Sequence, residues 1–168
     1  MDAFVGVPPG DVVVGVDGSA VSVGALRWAA PYAQTIGASL RVISAWEALE
    51  SYVTDEAGIS VTFFESRAQR RLDNCLLDAL GPYPDVHVSS HVVHGNPARV
   101  LVAASATSDL LVLGSRGRGE LAGMLMGSVS EYCATHAHCP VVIIRPEAAK
   151  RLEARRLTAQ RASSPVMH

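Results

Sequence analysis

The amino-acid sequence predicts an α/β fold: a doubly wound sheet of five largely parallel strands with helices on both faces. Three observations lead there. Short, wholly apolar runs alternate with segments whose apolar residues recur every three or four positions, as strands and amphipathic helices do when they take turns. A chain of 168 residues, 49% hydrophobic and 18% charged, suits one domain with one core. Five strands joined by four helical crossovers, each right-handed, wind the sheet outward in both directions from its middle.

The first strand is VVVGV, Val12 to Val16, a continuous apolar run suited to a strand covered on both faces. After the turn Asp17-Gly18-Ser19, apolar residues at Val23, Leu26, Ala30 and Ala33 mark a helix that Gly37 stops. A strand at Leu40 to Ala45 follows. Beyond the poorly periodic stretch from Trp46 to Ser60, Phe64, Ala68, Leu72, Cys75 and Ala79 make the apolar face of a second helix, closed by Gly81-Pro82. The third strand, Val86 to Val93, carries His87, Ser89, Ser90 and His91; the helix after it begins with Asn96 as N-cap and Pro97 at its first position. The fourth strand, Leu110 to Gly114, is again wholly apolar, a helix starts at Ser128, and the last strand, Val141 to Arg145, lies between Pro140 and Pro146.

Three parts are expected: an extension over residues 1–10, the domain over 11–146, and a basic tail over 147–168 that is either a frayed helix or disordered. Cys75, Cys133 and Cys139 are an odd number without CxxC spacing, and the N-terminus lacks a basic stretch leading into an apolar run, so a reducing cytoplasm is expected. No run of about 18 apolar residues is present, which excludes a membrane-spanning helix on length. Residues 1–146 carry nine Arg against fourteen acidic residues, and residues 147–168 five basic against two acidic, so a nucleic-acid surface on the folded part is not expected. Lys150 is the only lysine, so a phosphate site in the domain must work without one.

The chemistry concentrates between the fourth strand and the helix at Ser128. Connections of this kind take about 2 to 6 residues, yet Ser115 to Gly127 spans 13, with Gly117, Gly119, Gly123 and Gly127 and with Arg116 and Arg118. Glycines let backbone N–H groups approach a ligand, and a helix start presents unpaired N–H groups with the positive end of its dipole. Ligands in open α/β sheets bind at the carboxyl ends of strands where the strand order reverses. If the two wholly apolar strands are neighbours, Asp17, Gly18 and Ser19 face the glycine-rich segment across that crevice.

A P-loop needs GxxxxGK[ST] and is excluded by the missing lysine; GxGxxG is absent because Gly123 falls one residue too late. What fits is G-x2-G-x9-G-[ST], through Gly114, Gly117, Gly127 and Ser128. With VVVGVDGS at the first strand, VVHGNP after the third, and LLVLGSRGRGELAGMLMGSVSEYCATHAHCPVVIIRP at the end, the chain resembles the ATP-binding branch of the universal stress protein family from about Asp11 to Pro146. The resemblance implies a flavodoxin-like sheet of order 3-2-1-4-5. It further implies phosphates held by Gly114, Arg116, Gly117, Gly127, Ser128 and Val129, an acidic role for Asp17, and an adenine pocket at Ala45, with Gly95 close by. Val16, Leu113 and Ser130, chain neighbours of these residues, complete the expected set. ATP is the implied ligand, with Mg²⁺ met by Asp17 only through the nucleotide; cyclic AMP in the same pocket and a dimeric module without nucleotide are the alternatives.

Plainer readings stand beside several of these. Ser128 and Glu131 match a capping box, and Asp17 before Gly18 suits a simple turn. Cys133 and His136 are expected on the apolar face of the last internal helix as core residues rather than metal ligands, and His87 and His91 as solvated edge residues. Neither GxSxG nor HExxH occurs, and Asp17 is the one candidate base for slow ATP hydrolysis. In a 3-2-1-4-5 sheet the bare apolar strand 141–145 is an edge that would aggregate unless covered, so a homodimer through it is expected, as the resemblance also implies.

Overall fold

The computed structural model describes residues 10–47, 61–82, 84–117 and 126–163. The elements are β1 (Asp11–Gly15), α1 (Ala20–Ile36), β2 (Ser39–Trp46), α2 (Val61–Leu80), β3 (Val88–His94), α3 (Pro97–Ser105), β4 (Ser108–Gly114), α4 (Ser128–His136), β5 (Val141–Ile144) and α5 (Pro146–Ser163). All pairings are parallel and the order is β3-β2-β1-β4-β5. Parallel neighbours cannot be joined by a tight turn, so each connection carries a helix back across the sheet. Among the described residues no helix is long and apolar enough to cross a membrane.

The apolarity of β1 and β4 follows from their central place. Val12, Val13 and Val14 are wholly buried, as are Leu111 and Val112, because helices cover both faces. Val12, Val14, Leu40, Val42 and Val112 pack with α1 and α2, whereas Val13, Ile43, Leu111 and Leu113 pack with Leu101 of α3 and Cys133 of α4. Side chains alternate along each strand, so the two cores are the two faces of one sheet.

Strand ends differ from the expected ranges by at most two residues. Val16 falls outside β1, its N–H bonding to the Ile43 carbonyl at 2.9 Å, and β3 begins at Val88 rather than Val86. β5 stops at Ile144, one residue before Arg145. Helix signals are met as follows. Ser19 caps α1 by accepting from the Ser22 N–H, Gly37 closes it at φ 70°, and Asn96 accepts from the Arg99 N–H with Pro97 at the helix start.

Two expectations give way. α5, anticipated as a frayed helix or disordered tail, is an 18-residue helix docked on α1. Gly24 makes this approach possible, since a Cβ there would stand 2.4 Å from that of Ala149. Arg27, only 8% exposed, then ties three helices together through ion pairs with Asp78 of α2 and Glu153 of α5. His136 is not on the core face of α4: Cys133 is fully buried, but His136 is exposed and stacks on the exposed Tyr132 at 4.0 Å. A nine-residue helix turned by its N-terminal contacts buries Cys133 and leaves the ring three positions on in solvent.

Candidate functional site

A cavity of about 430 Å³ opens at the carboxyl edge of the sheet, over β1 and β4 where the order reverses. Its volume lies within the range of small-molecule pockets. Ten of the expected residues line it: Val16, Asp17, Ala45, Leu113, Gly114, Arg116, Gly117, Ser128, Val129 and Ser130. The two loops do meet across the crevice, since a Cβ at Gly117 would come within 2.6 Å of the Asp17 carboxylate.

Asp17 serves the turn and the cavity at once. Its Oδ1 accepts from the Ser19 N–H at 3.0 Å and from the Ser19 hydroxyl at 2.7 Å, an Asx-turn, while Oδ2 faces Gly117. Gly114 ends β4 against the start of α1, where a Cβ would sit 3.0 Å from Val21 Cγ1 and 3.2 Å from the Ser22 nitrogen. Ser130 donates to the Gly114 carbonyl at 2.6 Å and so anchors the first turn of α4 to the strand end.

The start of α4 is the strongest anion-binding feature. Gly127 is the N-cap and no side chain caps the helix, so the Ser128–Glu131 capping box is not formed. Ser128 lies inside the first turn, one position too late to reach back as a cap. The first bond along the helix runs from the Glu131 N–H to the Gly127 carbonyl, which leaves the N–H groups of Ser128, Val129 and Ser130 as the orphan donors of the helix start. Those three residues line the cavity, together with Arg116, whose buried Nε has no hydrogen-bond partner among the described residues.

Four expected residues do not line the cavity, each for a local reason. Gly18, at φ 86°, and Ser19 form the turn and the α1 cap. Gly95, at φ 139°, donates to the Trp46 carbonyl in the connection from β3 to α3. Gly127 donates to the Ser115 carbonyl at 2.7 Å and pins the neck of the glycine-rich segment. Arg118, Gly119 and Gly123 lie outside the described residues, as do residues 1–9 of the expected extension.

Six lining residues were not expected: Gly15, Ser22, Ile43, Arg71, Pro97 and Leu101. Ile43 could have been found, since it shares a strand face with Ala45 two positions on. Gly15 accommodates the wall, because a Cβ there would stand 2.7 Å from Leu113 and 2.9 Å from Leu101. Arg71 carries its own signal: it lies three positions after Ala68 and four before Cys75, on the packed stripe of α2.

The cavity is thus divided chemically. Ile43, Ala45, Pro97, Leu101, Leu113 and Val129 give an apolar slot. Asp17, Arg71, Arg116 and the α4 terminus give the polar lining, with two guanidinium groups against one carboxylate among the described residues. Next to Asp17, burial pushes the Cys75 thiol up, and the Asp17 carboxylate adds to this while the Gly18 backbone and Arg71 oppose it. The lining thus sets anion-binding donors beside an apolar surface.

Residues 10–145 match the universal stress protein family. The universal stress protein Rv2005c of Mycobacterium tuberculosis is 41% identical over 134 residues, which cover 80% of this chain and 45% of that protein. The chain therefore spans about half the length of the curated relatives it matches. Among solved structures, a universal stress protein in complex with cAMP aligns with TM-score 0.61 at 26% identity, covering 82% of this chain and 97% of that one. A universal stress protein from Archaeoglobus fulgidus in complex with dAMP aligns with TM-score 0.51 at 21% identity over 81% and 97% of the two chains, a likeness of fold.

Proposed function

This chain belongs to the universal stress protein family, and from that premise we propose that it binds ATP in the cleft between β1 and β4 and acts in stress response or signalling through nucleotide-dependent binding. The observation that carries the reading is the uncapped start of α4 beside Arg116, placed at one end of an apolar slot large enough for a purine. The base would enter between Ile43, Ala45 and Leu101, and the phosphates would meet the N–H groups of Ser128 to Ser130 and the Arg116 guanidinium. Relatives of this fold bound to cAMP and dAMP support an adenine base.

Magnesium fits only as a companion of the phosphates. Asp17 is the single carboxylate lining the cleft among the described residues, and one of its oxygens already serves the turn. It would meet the ion through the nucleotide. The ion would neutralise phosphate charge, and the chain's own contribution would be donors already aligned. Binding is the activity proposed, carried by backbone donors and guanidinium groups with Asp17 as the one lining carboxylate among the described residues.

Cyclic AMP remains the second reading because a family member has been solved with it. Thermal melting with ATP, ADP, AMP and cyclic AMP, with and without Mg²⁺, tests both. A nucleotide at about 100 times its Kd adds roughly 2.7 kcal/mol, a shift on the order of 5 to 10 °C for a chain of this size. No shift with any of the four would overturn the proposal, and a shift confined to cyclic AMP would replace ATP by the second reading.

A further inference from the structure

The cleft has one wall that the adenine-plus-phosphate reading does not use. Its apolar slot and the α4 terminus belong to the α3 and α4 side of the sheet, where Ile43, Leu101, Leu113 and Val129 pack. Arg71 comes from α2, which packs with α1 on the opposite side against Val12, Val14 and Val42. The lining of the cleft therefore draws on both faces of the sheet, and Arg71 is the contribution of α2.

Helix packing fixes where that guanidinium begins. Ala68 and Leu72 are fully buried and Cys75 is 3% exposed, so the stripe bearing Arg71 is clamped to the sheet. One turn along, the Cys75 sulfur lies beside the Gly18 backbone and feels both Asp17 and Arg71. Arg71 and Asp17 line the same cleft, and Gly117 meets the Asp17 carboxylate from the glycine-rich side. A group carrying further negative charge towards Asp17 would be repelled there unless a cation stood with it.

Resting on the nucleotide-binding reading above, we propose that Arg71 is a specificity residue that recognises the outer phosphates, so that the cleft favours an adenosine polyphosphate over the monophosphate. A single phosphate on the α4 terminus is satisfied by the N–H groups of Ser128 to Ser130 and by Arg116, and does not span the cleft. A longer phosphate chain crosses the sheet edge to the α2 wall, where a planar guanidinium can grip two oxygens at once.

The test is titration calorimetry of the full chain with ATP and with AMP, for the wild type, Arg71→Gln and Arg71→Lys. Loss of one charge-assisted contact is expected to weaken ATP binding by Arg71→Gln about tenfold or more, leaving AMP within about twofold. Arg71→Lys keeps the charge but not the fork, so it should fall between the two. An equal loss for ATP and AMP would make Arg71 a structural residue, and no loss for either would remove it from the site; both overturn the inference while nucleotide binding stands. Wild-type protein that binds neither ligand would instead overturn the functional reading itself. Should Arg71→Gln fail to fold, the ATP-to-AMP ratio of Arg71→Lys decides alone: a ratio equal to wild type rejects the proposal.

Discussion

A side chain at position 117 has nowhere to go. The Asp17 carboxylate stands 2.6 Å from where its Cβ would be, so Gly117→Val must displace either the turn after β1 or the glycine-rich segment. The fold should survive, because the collision lies at the sheet's edge and not between its layers. Gly117→Val is therefore expected to melt within a few degrees of wild type and to lose the shift with ATP; a retained shift would place the nucleotide elsewhere. Cys133 makes a second prediction at this scale. Burial pushes its thiol up to about 11, while the sulfur donates weakly to the Ala98 carbonyl. The unfolded chain ionises near the ordinary thiol value of about 8.5. The folded state thus holds its proton longer, and its stability from this group is complete below pH 8.5 and lost as pH rises towards 11. Over that window wild type should lose on the order of 3 kcal/mol that Cys133→Ala does not. Parallel pH profiles from urea unfolding would refute it.

The start of α4 can be tested as an element without disturbing its packing. Proline is tolerated at the first helical position, and the preceding Gly127, at φ −88° and ψ 161°, already has the extended conformation that a residue before proline needs. Ser128→Pro should keep the helix, remove one donor, and weaken ATP binding about tenfold at an unchanged melting temperature; equal affinity would mean that this N–H does not meet phosphate. The docking of α5 is tested at Gly24. In an open helix Gly→Ala gains about 1 kcal/mol, but overpacking against Ala149 costs about 1 to 3. Gly24→Ala should lower stability and expose α5 to protease, whereas a raised melting temperature would mean that α5 yields easily. These two helices also mark what the sequence could tell. β1 and β4 were legible because strands buried on both faces must be apolar throughout. Asn96-Pro97 was legible because a cap needs only neighbouring residues. α5 was obscure because its docking depends on one missing side chain in α1, over a hundred residues away. The Ser128–Glu131 pattern misled because a capping box has the same spelling one position into a helix. Arg71 was passed over because a charge on an amphipathic helix looks solvated until the opposite wall of the cleft is in place.

At the scale of the molecule, the sheet ends in two unlike edges. β3 presents Ser90, His91 and His94 in exposed positions, whereas β5 is Val141-Val142-Ile143-Ile144, with the first three half-buried and no charge along it. An uncharged apolar edge with free ladder groups invites another strand, and a second copy of β5 about a two-fold axis satisfies both copies at once. That dimer would be coupled to the cleft through a short path. The Ile144 carbonyl accepts from the Ser115 N–H at 2.7 Å, and the Ser115 carbonyl accepts from the Gly127 N–H, at the cap of the helix expected to hold phosphate. Linkage is reciprocal, so if ATP strengthens the dimer, the dimer must bind ATP more tightly by the same factor. Val142→Lys places a charge on this edge, with a stem long enough to reach water from a half-buried position. Sedimentation should show it as a monomer while wild type is a dimer whose dissociation constant changes with ATP. A dimer unchanged by the substitution would move the interface elsewhere. A monomer that binds ATP as wild type does, beside a wild-type dimer indifferent to ATP, would leave the interface in place and break its link to the cleft.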